Sequence, residues 1–450
     1  MKIAEPRLRS EPGDVPLPAD PAGPRRLGAA WTAIVIGGGL LTIRAANQVG
    51  RWLQDHGHRM NVNAPPLTGN VDPRLTTGAG LAVALGAAGV AGADRWSRRL
   101  PWRRLLWTAF AAALVWSVAL AVWDGAFGLT RSPRSPVDYL AALPLMGSPG
   151  RFLSTFVGTI AAYPSHVRAH PPGLALLLQG MNAIGLGGAG WIAALEHTAG
   201  ALSVPAVLLA VRNVAGEARA RAAAPFLVFL PAAVFWSSGD AVFLGVGAWA
   251  VACLILATGA RGRRADLLAL AGGALAGAGL FLSYGLVLLG AVPIAVAVSR
   301  RRWRPLLLAL VPIAAWFAAF ATAGFWWFDG LTATRAQYAV SLARARPYPY
   351  FLAANLAALL VALGPAVWVA VARLRDRRLW LLVGGALVAV LIADLSGLSK
   401  AEVERIWMPF MPWIAVATAG AFEGTAARRT WLGINVVWAL AIQALVWSPW

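Results

Sequence analysis

The sequence predicts an all-α polytopic membrane protein of about 13 transmembrane helices, with long outer loops that carry short interfacial helices. Three observations predict it. Of the 450 residues, 59% are hydrophobic and only 13% charged, about half the charged share of a soluble domain. The apolar residues gather in runs close to the roughly 20 residues that a helix needs to cross a bilayer. The basic residues, 39 Lys+Arg against 19 Asp+Glu for a formal net charge of +20, fall in short clusters between those runs, as the positive-inside rule asks of cytoplasmic loops. In a soluble chain such an excess would point to nucleic acid; its distribution here excludes that partner. The single cysteine, Cys253, lies in an apolar run as a small packing residue, so there is neither a disulfide framework nor a cysteine metal site.

Residues 1–26 are polar, rich in proline and arginine, and contain no apolar stretch of the kind a signal peptide needs, so they read as a disordered cytoplasmic tail. A leading transmembrane hairpin, 27–104, follows: apolar runs 27–43 and 78–93 flank the polar loop 44–77, and Arg95, Arg98, Arg99, Arg103 and Arg104 close it. The remainder, 105–450, reads as one transmembrane domain. Its first run, 105–123, opens onto the longest polar segment, 124–170. Runs 171–189 and 191–211 lead to Arg212, Arg219 and Arg221, and 226–236 and 241–258 form a hairpin around a turn at Asp240. After Arg261, Arg263 and Arg264 come 267–283 and 284–298, then Arg300, Arg301, Arg302 and Arg304. Run 305–324, the loop 325–350, run 351–371, a cluster from Arg373 to Arg378, and runs 379–398, 406–422 and 431–446 complete the chain.

Placing every basic cluster inside gives a regular alternation if 171–189 does not span. That segment is therefore expected to be re-entrant or interfacial, entered through Pro171-Pro172 and left through Gly185, Gly187, Gly188 and Gly190. The N-terminus is then cytoplasmic and the C-terminus outside the plasma membrane. Loops 44–77, 124–170 and 325–350, the Asp240 turn and 399–405 all share the outer face, which holds most of the residues able to do chemistry.

Asp124 ends a span, where a carboxylate is partly desolvated yet reaches a water-borne substrate; that suits a general base as well as a plain helix-end acid. Asp138, after Pro133 and Pro136, reads more readily as a helix cap than as a base. In Tyr163-Pro164-Ser165-His166-Val167-Arg168-Ala169-His170-Pro171-Pro172-Gly173, Arg168, His166 and His170 are placed to neutralise a phosphate or to anchor the segment at the interface. Zinc is disfavoured there, because the prolines interrupt the helix that would put both histidines on one face. Lys400, Glu402, Glu404 and Arg405 crowd against the run 406–422, and charges so close to a span are costly unless paired or used. Asp240, Glu196, His197 and Asp394 are further ionisable groups in or near spans. Phe325, Trp326, Trp327, Tyr338, Tyr348 and Tyr350 stack on sugar or form an interfacial belt, and with 22 Trp in the chain the belt accounts for most such residues. No Walker loop, dinucleotide glycine pattern or serine nucleophile elbow occurs.

An acid at the end of an early span, Asp138-Tyr139 in a long outer loop, and His170-Pro171-Pro172-Gly173 opening the next apolar segment resemble the GT-C superfamily of membrane glycosyltransferases. The Ala/Arg-rich composition and Glu402-Val403-Glu404-Arg405-Ile406-Trp407 look most like an actinobacterial branch that includes the methylthioxylose transferase of mycobacterial lipoarabinomannan capping. The resemblance covers about 105–450. It implies a GT-C-like catalytic domain there, a polyprenyl-phosphate-linked sugar donor, a cell-envelope glycan or glycolipid acceptor, and an outer-loop carboxylate that deprotonates the acceptor. The leading hairpin departs from the superfamily pattern, so the base stays open among Asp124, Asp138, Asp72 and Asp55, with Asp124 ranked first. Arg168, His170, Lys400 and Arg405 are then the donor-phosphate cations, and His166, Asp240, Glu402 and Glu404 support them. No cofactor is demanded if these cations take the phosphate charge, though a divalent ion at paired aspartates stays open. The competing reading is a lipid or polysaccharide transporter, which would place its charges near mid-membrane at broken helices.

Overall fold

The computed structural model describes residues 28–450; the expected tail 1–26 lies outside the described residues. Seven helices are long and apolar enough to cross a membrane: Ala29–Asp55, Trp102–Asp124, Ala189–Ala215, Asp240–Gly259, Gly262–Leu282, Arg304–Thr322 and Arg377–Leu395. Among the described residues the pair Tyr348–Leu363 and Pro365–Arg373, bent by 102°, is apolar and long enough only when its two halves are taken together. The chain is thus a multi-pass membrane protein. These helices do not reach the expected count of 13, because several apolar runs are shorter, broken or charged.

Two breaks have clear causes. The run 351–371 turns by 102° at Gly364, whose φ of 78° admits glycine at no steric cost. Pro365 then starts the next helix, and the amide it frees at Ala366 donates to the Asn435 side chain at 3.0 Å. The run 406–422, expected as one span, is a chain of short turns, Val403–Ile406, Met408–Phe410, Met411–Ala415 and Val416–Gly420. Pro409 and Pro412 cannot donate to the preceding turn, and the irregular backbone is almost wholly buried, the condition under which membrane-depth irregularity is tolerated. Likewise 226–236 is the tail of Glu217–Val228 followed by the turn Pro231–Phe235.

Segment 171–189 holds only the 11-residue helix Gly173–Ala183, about 16 Å long and too short to cross. Helix Asp240–Gly259 forms the core, packed between Ala189–Ala215 and Gly262–Leu282. A Cβ at Gly245 would lie 2.4 Å from the Ala199 carbonyl, so only glycine allows that approach. Ala29–Asp55 and Arg304–Thr322 lie at the rim with Trp31, Leu41, Leu307 and Val311 exposed, as lipid-facing helices do. The two helices of the expected leading hairpin take different partners: Ala29–Asp55 packs on Tyr348–Leu363 and Ala79–Arg99 on Trp102–Ala121 and Thr425–Leu445.

Ala79–Arg99 also defines the two ends of the bundle. Gly78 abuts the Val122 carbonyl, whereas Ser97, Arg98 and Leu100 offer carbonyls to Arg221. At the Asp124 end a two-strand ribbon, Asn70–Val71 paired antiparallel with Val446–Trp447 (Asn70 opposite Trp447), ties the loop 44–77 to the C-terminus.

Candidate active site

Asp240 occupies the first turn of Asp240–Gly259 rather than a hairpin turn. There the helix dipole favours its charge, and Arg405 Nη1 meets its Oδ2 at 2.5 Å. Both side chains are buried, at 4% and 6% exposure. Gly239 makes room for this, since a Cβ there would press on Leu174 at 2.8 Å and on the Tyr139 ring at 3.2 Å.

Arg405 belongs to the short turn Val403–Ile406, entered through two consecutive left-handed residues, Ala401 (φ 71°) and Glu402 (φ 63°). Such backbone costs a non-glycine residue roughly 1–2 kcal/mol and clusters at functional sites. Its result is that Glu402 folds back on the same guanidinium, Oε2 to Nη2 at 2.5 Å. The backbone is held from outside: Asn355 Oδ1 accepts the Ala401 amide at 3.2 Å, while its Nδ2 donates to Asp394 at 2.8 Å and to the Ser399 carbonyl at 2.6 Å. The Trp450 ring closes the far face of the guanidinium at 4.7 Å.

From Arg405 the network continues to His166. Its Nε2 lies 3.3 Å from Arg405 Nη2 and its Nδ1 3.3 Å from Asp138 Oδ2. Arginine only donates, so Nε2 is the acceptor and Nδ1–H points at Asp138, a tautomer assigned from the network. The His166 amide donates to the Val137 carbonyl at 3.0 Å, which fixes the Ser165–Arg168 turn against Asp138. Asp138 does cap a helix turn, accepting the Tyr139 amide at 2.6 Å, and it also accepts the Ser132 hydroxyl at 3.0 Å.

Electrostatics follow from this packing. Burial alone would raise the Asp138 pKa, but hydrogen bonds from His166, Tyr139 and Ser132 hold it below the usual carboxylate range. Burial is also outweighed at Glu402, which Arg405, Arg346 and His166 hold down to about 2. Burial would lower Arg405, yet Asp240 and Glu402 push it above its ordinary value. At His170 burial outweighs the charges of Asp240 and Asp138 and lowers the imidazole to about 4. The Tyr139 hydroxyl is pushed well up by burial and by Asp240 and Asp138. Tyr139 Oη, His170 Nδ1, Glu196 Oε2 and Arg405 Nε are buried without hydrogen-bond partners, an unusual concentration of unused polarity.

The other predicted residues lie elsewhere. Asp124, expected to be a lightly solvated base, has both oxygens engaged: Arg74 Nε at 2.8 Å and Arg131 Nη2 at 2.6 Å. Those arginines also donate to the carbonyls of Val446 and Ser448, so Asp124 fastens the loops that carry Arg74 and Arg131 to the C-terminal residues. Lys400 is buried with Nζ donating to the carbonyls of Arg344 and Arg346 at 3.1 and 3.0 Å, which occupies two of its three donors. Arg405, expected as a donor-phosphate cation held by a glutamate, has its fork shared between Asp240 and Glu402. Glu404 turns away from Arg405 and accepts the Thr68 amide at 2.9 Å; burial lifts it to about 7. Arg168 is half-buried, donates to the Ser165 hydroxyl at 3.2 Å, and meets no carboxylate among the described residues. His197 bridges the hydroxyls of Ser117 and Ser237 and is structural. Asp55 and Asp72 are exposed. Ser132, Asn355 and Trp450 join the network without any signal in their sequence surroundings. Among the described residues no three His, Cys, Asp or Glu side chains gather as a metal site.

No family model matches the chain, and no curated protein matches it in sequence. Among solved structures it is similar to ArnT from Cupriavidus metallidurans in the apo state, at 18% identity and a TM-score of 0.39, over 60% of this chain and 54% of that one. The chain thus spans about half the length of that relative, and a functional reading rests on the hydrogen-bonded network itself.

Proposed function

We propose that this chain is a membrane glycosyltransferase that moves a pentose or hexose from a polyprenyl-phosphate donor to a cell-envelope glycan or glycolipid at the outer face of the plasma membrane, as the sequence resemblance implies. The observation that carries the reading is the continuous run Asp138–His166–Arg405–Asp240/Glu402 at one end of the bundle. In the displacement the acceptor oxygen bonds to the anomeric carbon, the bond from that carbon to the phosphate oxygen breaks, and the phosphate leaves with the electron pair. The acceptor proton passes to Oδ1 of Asp138 in the Asp138–His166 pair, the oxygen that accepts the Tyr139 amide, while His166 Nδ1–H and the Ser132 hydroxyl hold Oδ2. Arg405 positions that pair, and Arg168, the half-buried cation not paired with an acid, takes the leaving phosphate. Asp138 thereby replaces Asp124 as first choice of base.

The broken segment 403–420 beside this network is a feature of transporters. The charges, however, meet at the first turn of Asp240–Gly259 and not along its middle, which favours the enzyme. Incubating the purified chain with radiolabelled polyprenyl-phosphate sugars and extracted envelope lipids tests the choice. A glycosylated acceptor that disappears with Asp138→Asn supports it, whereas label that crosses vesicles unaltered, with no new product, refutes it.

A further inference from the structure

At the opposite end of the bundle, a cleft of about 310 Å³ lies between the last turns of Ala79–Arg99 and the first turns of Glu217–Val228 and Thr425–Leu445. One helix length, 21 residues or about 32 Å, separates it from the Asp124 end. Its floor is apolar, formed by Val90, Ala93, Pro225, Phe226 and Leu432, and its rim carries Arg98, Arg221, Arg428 and Arg429. A neighbouring hollow adds Arg95 and Arg99.

The charge there is far from balanced. Arg221 is matched by Glu217 at 2.7 Å. The remaining five arginines share one lining carboxylate, Asp94, whose Oδ1 takes Arg428 Nε at 3.0 Å and Arg98 Nε at 3.2 Å. Arg429 donates only to the Ala91 carbonyl, at 3.0 Å. In the wall, Arg428 Nη2 and Asp94 Oδ2 are buried without partners, an unused donor beside an unused acceptor. Guanidinium groups at the helix ends above an apolar floor match a phosphate that carries an acyl chain better than a free anion, because the floor would gain nothing from a fully hydrated ion. We propose that this cleft binds the phosphodiester headgroup of an anionic membrane lipid, its acyl chain lying along Val90, Phe226 and Leu432.

Native mass spectrometry of the full chain in neutral detergent tests this, with phosphatidylglycerol, phosphatidylcholine and inorganic phosphate as probes. The parent should retain phosphatidylglycerol at least about tenfold better than phosphatidylcholine. The Arg98→Gln/Arg429→Gln double variant, altered at two exposed side chains, should lose that preference while melting at the parent's temperature. Millimolar inorganic phosphate should leave the lipid in place. Equal retention by parent and variant, or of the two lipids, overturns the proposal. Displacement by inorganic phosphate overturns the lipid assignment and makes the cleft a site for a soluble phosphate.

Discussion

Asp124 and Asp138 belong to the same loop and end among different partners. Asp124 closes a pair of arginine contacts that fasten loops to the C-terminus; Asp138 orients a histidine inside a buried network. Asp138→Asn should therefore lower transfer by about 100- to 10,000-fold with little change in melting temperature. Asp124→Asn should cost about 1–3 kcal/mol of stability, because buried donors on Arg74 and Arg131 lose their charge partner, yet leave turnover per folded molecule close to the parent. Reversal of these two outcomes in one transfer assay with matched melting curves would restore Asp124 as the base. Glu404 carries a pH prediction. Its folded pKa, about 7, lies above the ordinary 4.5, so its protonated form stabilises the fold below pH 4.5 and that contribution is lost as pH rises through 7. Glu402 works in the other direction, held near 2, and its contribution disappears as pH falls below the ordinary value toward 2. Glu404→Gln keeps an acceptor for the Thr68 amide and should melt with the parent at pH 5 but above it beyond pH 7, by on the order of 3 kcal/mol. A parent–variant gap that is flat across that range refutes it.

At the scale of elements, the left-handed pair Ala401–Glu402 is what turns a charged loop into a site. Asn355 imposes it through the Ala401 amide, and Asp394 in turn fixes Asn355. Ala401→Gly should keep transfer activity and lose no stability, since glycine takes φ 71° without strain. Asn355→Ala should lower activity at least about tenfold while the chain still folds, because Glu402 and Arg405 lose the backbone that aims them. Full activity in Asn355→Ala, measured at saturating donor, would make the turn incidental. The sequence shows the charges of 400–405 and their crowding against an apolar run, which is why they stood out as candidates. It does not show that Asn355, in a different apolar run, sets their backbone, nor that Arg405, beside its near neighbour Glu402, also meets Asp240. Those are tertiary contacts across 46 to 165 positions of chain, and no local pattern encodes them. The Met-Pro repeats at 408–409 and 411–412 did carry the signal that 406–422 is not one helix, and mean hydropathy overrode it.

Across the whole molecule, the hydropathy and charge pattern made the multi-pass helical architecture and the clustering of polar loops legible, because both follow from apolar length and arginine position alone. Breaks, kinks and pairings were hidden, since they depend on which helix lies beside which. The same arginine distribution fixes a last prediction, the orientation. At the end of the bundle that carries the proposed site, Arg74 and Arg131 meet Asp124 and Arg405 meets Asp240 and Glu402, while Arg168 meets no acid among the described residues. At the other end Arg95, Arg98, Arg99, Arg428 and Arg429 gather in one cluster, with Asp94 the carboxylate among the described lining residues. Arginines clustered in short loops near helix ends stay on the cytoplasmic side, so the Asp138 network, at the opposite end, should face outward. Cys253 is buried, which leaves a quiet background for cysteine scanning. Gly150→Cys places its new side chain in open space at the proposed outer end, and Arg375→Cys an exposed one in the turn after Pro365–Arg373. An impermeant thiol reagent added to intact cells should label Gly150→Cys and reach Arg375→Cys only after the cells are opened. Labelling of Arg375→Cys alone in intact cells would put the network in the cytoplasm, where an envelope acceptor could not meet it, and would remove the proposed reaction along with the orientation.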